Sequence, residues 1–120
     1  MARVLLVDDL RFIKIIEKKI LEENGHQIIG DAQNGREAIK LYMELKPDVV
    51  LMDITMPELN GIEALKEIIA LDPHAKVIIC SAISHEKSLY QAVKEGAKEY
   101  IIKPFSTERL ISTINKVLGH

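Results

Sequence analysis

The sequence predicts an open α/β sheet, with five parallel strands and five helices doubly wound on its two faces. Three observations carry that prediction. Five short apolar runs alternate with five amphipathic stretches. Most of the runs are apolar at successive positions, as strands covered on both faces are. Helix-stopping residues recur where each crossover must turn back. Alternation of this kind favours right-handed crossovers between parallel strands. Five strands are too few to close an eight-stranded barrel.

The elements follow in order. Val4–Val7 forms the first strand and leads into Asp8-Asp9. In the first helix, Phe12, Ile15, Ile16 and Ile20 line one face, while Glu17-Lys18-Lys19 and Glu22-Glu23 read as the wet face. Gly25 stops it, because a left-handed terminal residue is easiest for glycine. Gln27–Ala32 is the second strand. Asn34-Gly35 opens the second helix, Ala38, Leu41, Tyr42 and Leu45 line it, and Pro47 ends it. Val49–Asp53 is the third strand, followed by a helix faced by Ile62, Leu65, Ile68 and Ile69 and stopped by Pro73. Val77–Cys80 is the fourth strand. Leu89, Ala92 and Val93 mark the shortest and most polar helix, which Gly96 ends. Tyr100–Ile102 is the fifth strand. Ser106 or Thr107 caps the last helix, faced by Leu110, Ile114, Val117 and Leu118.

Composition narrows the function. A chain of 120 residues matches one domain. It is 48% hydrophobic but only 4% aromatic, so the core is aliphatic. A net charge of -2 argues against nucleic-acid binding, which needs a basic footprint. No apolar stretch approaches the roughly 20 residues that span a bilayer. The N-terminus lacks a cationic and apolar leader, and the single cysteine, Cys80, suits a reducing compartment. A cytoplasmic location is the expectation.

The chemistry gathers at strand ends. Asp8, Asp9, Asp53, Ser81 and Lys103 all fall on the carboxyl edge, where open sheets bind ligands at the switch point. Each is weak evidence alone. Asp-Asp pairs often cap helices, Lys-Pro often forms an exposed turn, and a strand-end serine is usually structural. The set is strong. Three carboxylates at ~5 Å and an effective dielectric near 20 repel by roughly 3 kcal/mol per pair. They must take up protons or share a cation, and Mg2+ suits oxygen-only ligands. Asp53 is then free to act as a nucleophile toward phosphorus.

The motifs Val7-Asp8-Asp9, Met52-Asp53-Ile54-Thr55-Met56-Pro57 with Gly61, Cys80-Ser81-Ala82, Gly96-Ala97 and Lys103-Pro104-Phe105 span the chain. In order and spacing it closely resembles the receiver domain of two-component response regulators. Within that family it is most similar to the stand-alone chemotaxis regulators, through Asp53–Glu58, Ala64–Ile68 and Ile79–Ala82. The resemblance implies a flavodoxin-like strand order of 2-1-3-4-5 and a single receiver domain over residues 1–120. It implies that Asp53 accepts a phosphoryl group from a sensor histidine kinase. Asp8, Asp9, Asp53 and the Thr55 carbonyl would hold Mg2+. Lys103, Ser81 and Ala82 would bind phosphoryl oxygens, and the Lys103–Pro104 bond would be cis. Ser81 and Tyr100 would form the switch, and Thr55 and Ile83 would tune phosphoryl lifetime. Ile83 cannot steer an attacking water, so slow hydrolysis is expected unless a phosphatase helps. Lys87, Tyr90, Lys94, Lys98, Tyr100 and Arg109 would offer the output face to a flagellar motor switch or adaptor protein. The expected form is a monomer without membrane insertion.

Other readings fit less well. A dehalogenase-like phosphatase wants a second Asp where Thr55 stands, and a cap domain besides. A flavin module wants a phosphate loop where Asp8-Asp9 would repel phosphate. The receiver half of a DNA-binding regulator would continue into a helix-turn-helix, and none follows the fifth helix. His26, His74, His85 and His120 lack metal-ligand spacing and suit loop or surface positions. Cys80 reads as an inert buried thiol. Met43, Met52 and Met56 read as packing.

Overall fold

The computed structural model describes residues 1–56, 59–82 and 86–119. Strands β1 (Arg3–Val7), β2 (Gln27–Ala32), β3 (Val49–Asp53), β4 (Val77–Ala82) and β5 (Glu99–Lys103) alternate with helices. These are α1 (Arg11–Glu23), α2 (Gly35–Leu45), α3 (Gly61–Leu71), α4 (Glu86–Lys94) and α5 (Thr107–Leu118). The strands form one parallel sheet in the order 2-1-3-4-5. β4 runs two residues beyond its predicted end, and β5 gains a residue at each end.

Successive strand residues feed opposite cores, as the two-residue period requires. Leu5, Val7, Val50, Met52 and Ile79 meet α2, α3 and α4 on one face. Val4, Leu6, Leu51, Ile78 and Ile101 meet Leu21 of α1 and Leu110 and Ile114 of α5 on the other. The helix ends follow the sequence signals. Asn34, Asn60 and Ser106 each accept a backbone hydrogen bond at an N-terminus, and Gly25 and Gly96 hold φ of +86° and +113°.

Four expectations are corrected. In α1, Phe12, Ile15 and Ile16 are 60%, 61% and 50% exposed, although they were read as its core face. Glu17, read as wet, is only 2% exposed. The packed ladder is Ile13, Glu17, Ile20 and Leu21, a rotation fixed by the complete burial of Leu21 in the core that α1 shares with α5. In α4, Leu89 and Ala92 are buried but Val93 is exposed, since a nine-residue helix has a narrow packed stripe. Met43 is exposed on the outer side of α2, while Met52 and Met56 are buried. His26 lies in a loop yet is buried, and its Nδ1 accepts a 3.0 Å hydrogen bond from the Ala2 backbone N–H. His74 is exposed as expected; His85 and His120 lie outside the described residues.

Candidate functional site

The strand order brings β1 and β3 side by side, with Val7 opposite Met52. The residues that follow them therefore converge, and Asp8, Asp9 and Asp53 offer carboxylate oxygens within 4.8 Å of one another. Asp8 is buried, Asp53 is half-buried and Asp9 is exposed, so the group opens to solvent on one side. Asp8 is held by its own turn, where its Oδ1 accepts a hydrogen bond from Leu10 N–H at 2.9 Å.

Lys103 closes the other side. Its Nζ lies 3.2 Å from Asp8 Oδ2 and 3.2 Å from Asp53 Oδ1. Register explains the reach: Asp53 pairs with Cys80 on β4, and Ala82 on β4 pairs with Lys103 on β5. The Lys103–Pro104 bond is cis, as the family resemblance implied. Sequence reasoning placed Lys103 at this edge but did not foresee that it would bridge two acids.

The charges reshape one another. Burial, with Asp8 and Asp9, raises the Asp53 pKa, and Lys103 opposes the rise. Burial disfavours charge on Lys103, but Asp53 and Asp8 outweigh it and push its pKa up to about 12. One ammonium faces three acids, so the pocket retains an excess of negative charge. Its oxygen-only donors, compact spacing and open side suit a hard divalent cation such as Mg2+.

A fourth acid escaped the sequence reading. Burial first, and then Asp8, raise the Glu17 pKa to about 8. The one available signal was spacing, since Glu17 stands four residues after Ile13 and four before Leu21.

The remaining expected residues surround this centre. Ser81 is buried, and its Oγ donates to the Ala82 carbonyl at 3.3 Å; Ala82 itself is exposed. Thr55 lies exposed two residues beyond Asp53. The loop that carries it is tied back by Gly61 N–H to Ile54 O and by Gly35 N–H to Leu59 O, both 2.8 Å. A Cβ on Gly61 would lie 2.2 Å from the Asp53 carbonyl oxygen, so that loop tolerates no side chain there. Tyr100 is half-buried against the core beneath α4. Lys87, Tyr90, Lys94, Lys98 and Arg109 are exposed. Tyr90 and Tyr100 help line a 370 Å³ cavity with Leu89, Val93 and Ile102. Ile83, Pro57 and Glu58 lie outside the described residues. Cys80 is sealed in the sheet, and burial pushes its thiol pKa well up, which fits an inert thiol.

A 2-1-3-4-5 parallel sheet with clustered acids and a lysine on its carboxyl edge is the architecture of a receiver. Comparison with known proteins agrees. The response regulator receiver domain model matches residues 4–115, and the chain belongs to that family. It is 51% identical over 115 residues to chemotaxis protein CheY of Thermotoga maritima, covering 96% of each chain. It is 45% identical over 120 residues to Protein CcdB of Bacillus subtilis, covering all of both. Among solved structures, a CheX-CheY-BeF3-Mg+2 complex from Borrelia burgdorferi aligns with a TM-score of 0.92 at 34% identity. That alignment covers 97% of this chain and 88% of the other. The chain is thus a CheY-like receiver of the two-component class. Among the described residues, no helix is long and apolar enough to cross a membrane.

Proposed function

We propose that this receiver is a phosphorylation switch in which Asp53 accepts a phosphoryl group with the help of Mg2+. The observation that carries the reading is the position of Asp53, 3.2 Å from the Lys103 ammonium and clustered with Asp8 and Asp9. A carboxylate oxygen of Asp53 attacks phosphorus in line with the leaving group. The P–N bond to a kinase phosphohistidine breaks, an acyl phosphate forms, and the departing imidazole keeps the electron pair and takes up a proton. Asp8, Asp9, Asp53 and the Thr55 carbonyl hold Mg2+, which neutralises charge on the phosphoryl oxygens when bound. Lys103 stays cationic far above neutral pH and supplies a point charge to the same oxygens, beside Ser81 and the Ala82 backbone.

The signal then travels through Ser81 and Tyr100. Ser81 bonds the new phosphoryl group, and Tyr100 turns further inward toward the cavity under α4. Moving a two-state equilibrium from 1:99 to 99:1 takes about 5.5 kcal/mol of preference. Two or three charge-assisted hydrogen bonds at roughly 1.5–3 kcal/mol each supply it. The exposed Lys87, Tyr90, Lys94, Lys98 and Arg109 present the result to a partner. Thr55 and Ile83 set the lifetime, with hydrolysis slow until a phosphatase assists. The domain spans residues 1–120 and works as a cytoplasmic monomer, not as a turnover enzyme.

The relatives named chemotaxis protein CheY favour a chemotaxis pathway with a sensor histidine kinase upstream and a flagellar motor switch or adaptor downstream. A second reading is a receiver serving another phosphorelay, since the equally long relative Protein CcdB does not carry the chemotaxis name. Retention of a motor or adaptor protein by the beryllofluoride-trapped form, and not by Asp53→Asn, decides for the first. The core chemistry is tested with acetyl phosphate and intact mass. The mass of one phosphoryl group should appear only with Mg2+ and vanish in Asp53→Asn. An unchanged mass gain in that variant refutes the assignment.

A further inference from the structure

The two loops that carry the acid pocket are spanned by a segment that supplies none of the clustered acids. β2 ends at Ala32, and the turn after it runs through Gln33 and Asn34 to Gly35, the first residue of α2. At one end, the Ala32 carbonyl accepts a 3.0 Å hydrogen bond from the Asp8 N–H. At the other, the Gly35 N–H donates to the Leu59 carbonyl at 2.8 Å. Asp8 belongs to the loop after β1, and Leu59 belongs to the loop after β3, which also carries Thr55. This short stretch of backbone therefore bridges the two loops.

Helix propensity does not put glycine at position 35, since glycine is a poor helix former. Nor does handedness: the positive-φ glycines among the described residues are Gly25, Gly96 and Gly119. Space requires it. A Cβ on Gly35 would lie 2.2 Å from the Leu59 carbonyl oxygen and 2.8 Å from its carbonyl carbon. Both are backbone atoms, which no rotamer change moves aside. Restoring ordinary contact makes the loop backbone retreat by about 1 Å. The first N–H of a helix has no partner within it. Gly35 is buried, so the bond to Leu59 is what satisfies that donor. A push at Leu59 does not stay there. The bond from Gly61 N–H to Ile54 O closes the loop into a short ring that holds both Leu59 and Thr55.

We propose that the segment from Ala32 to Gly35 is a positioning clasp, which sets the separation between the loop of Asp8 and Asp9 and the loop of Thr55 and so fits the pocket to Mg2+. The inference rests on the reading of the pocket as a magnesium site. Gly35 supplies no ligand and acts through the loop it holds. Mg2+ demands near-ideal octahedral geometry at about 2.0–2.1 Å, whereas Ca2+ accepts flexible shells at about 2.3–2.6 Å. Displacing one ligand loop by about 1 Å therefore penalises Mg2+ more than Ca2+. Groups that orient metal ligands from behind typically contribute about 10–100-fold to affinity.

The experiment titrates wild type, Gly35→Ala and Gly25→Ala with Mg2+ and, separately, with Ca2+, following amide shifts by NMR with no phosphodonor present. In Gly35→Ala the Mg2+ Kd should rise about tenfold or more and the Ca2+ Kd by less, so the preference for Mg2+ falls. Gly25→Ala strains a φ of +86° beyond the other end of α1, with open space around it, and destabilises the fold without touching either loop. Both Kd values should stay unchanged there. The wild-type protein keeps the proposal testable if Gly35→Ala folds poorly. By linkage, a clasp that favours Mg2+ is itself tightened by Mg2+. Saturating Mg2+ should slow hydrogen exchange at the Gly35 amide more than at the Lys46 amide, which bonds Tyr42 O at the far end of α2. Unchanged Mg2+ affinity in folded Gly35→Ala, an equal loss for both ions, a matching fall in Gly25→Ala, or a Gly35 amide indifferent to Mg2+ overturns the clasp and leaves the magnesium site standing. A wild-type protein that binds no Mg2+ overturns both.

Discussion

Helices α1 and α5 pack on the same face of the same sheet, yet they are built by different rules. α5 is bracketed by Ser106, which accepts from Arg109 N–H, and by Gly119 at φ +86°. It buries Leu110, Thr113 and Ile114, and its apolar stripe points inward as the sequence pattern indicates. α1 starts at Leu10, with no side-chain cap. It seals a carboxylic acid beneath the site and turns Phe12, Ile15 and Ile16 outward. The difference lies in what precedes each helix. α5 enters three residues after Lys103, through Pro104 and Phe105, and that spacer leaves room for the capping serine. α1 follows directly on Asp8-Asp9, whose placement beside Asp53 dictates where and at what rotation the helix begins. Proximity to the chemical centre overrides local helix signals on that side.

The contrast is sharpest in alkaline solution. Glu17 has a folded pKa of about 8 against 4.5 for a free side chain. The folded protein therefore binds a proton that the unfolded chain gives up. The stability tied to it is complete below pH about 4.5 and declines as pH rises to about 8, where the loss is complete. Glu17→Leu should abolish that decline and stabilise the protein at pH 9 by as much as about 5 kcal/mol. Urea unfolding at pH 5 and pH 9 measures it, and equal pH slopes in the two proteins would contradict the raised Glu17 pKa.

A second comparison weighs two aliphatic residues. Leu110→Ala on α5 empties a fully buried position and should cost about 3 kcal/mol. Ile16→Ala on α1 removes a half-exposed side chain and should cost no more than about 0.5–1 kcal/mol. If the two losses match in urea titrations, α1 packs on the face first read from the sequence. The caps give the smallest effects. Ser106→Ala should cost about 1 kcal/mol, and Leu10→Ser should return about 0.5 kcal/mol by supplying the missing acceptor, both read as shifts in the denaturation midpoint.

The pattern of legibility follows the same divide. The alternation of runs predicted every strand and helix, because the sheet is covered on both faces and the crossovers end at strong stops such as Gly25, Pro47 and Gly96. The site residues Asp8, Asp9, Asp53 and Lys103 were legible as strand-end polar groups, since a parallel sheet sends all such ends to one edge. The strand order was not contained in that alternation and came through the family resemblance. Glu17 was hidden because periodicity assigns charge to the wet face, and only tertiary packing sets the rotation of α1. His26 was hidden for a similar reason: a loop histidine reads as exposed until the N-terminal strand is laid across it.

The glycine at position 61 carries a consequence for anyone altering this protein. Its missing side chain lets the following helix begin in contact with the peptide of Asp53 itself, at a distance no methyl group can share. A library randomised at that codon and selected for a working acid pocket should return a single letter. Grafting the pocket onto another scaffold therefore requires transplanting that empty space along with the acids.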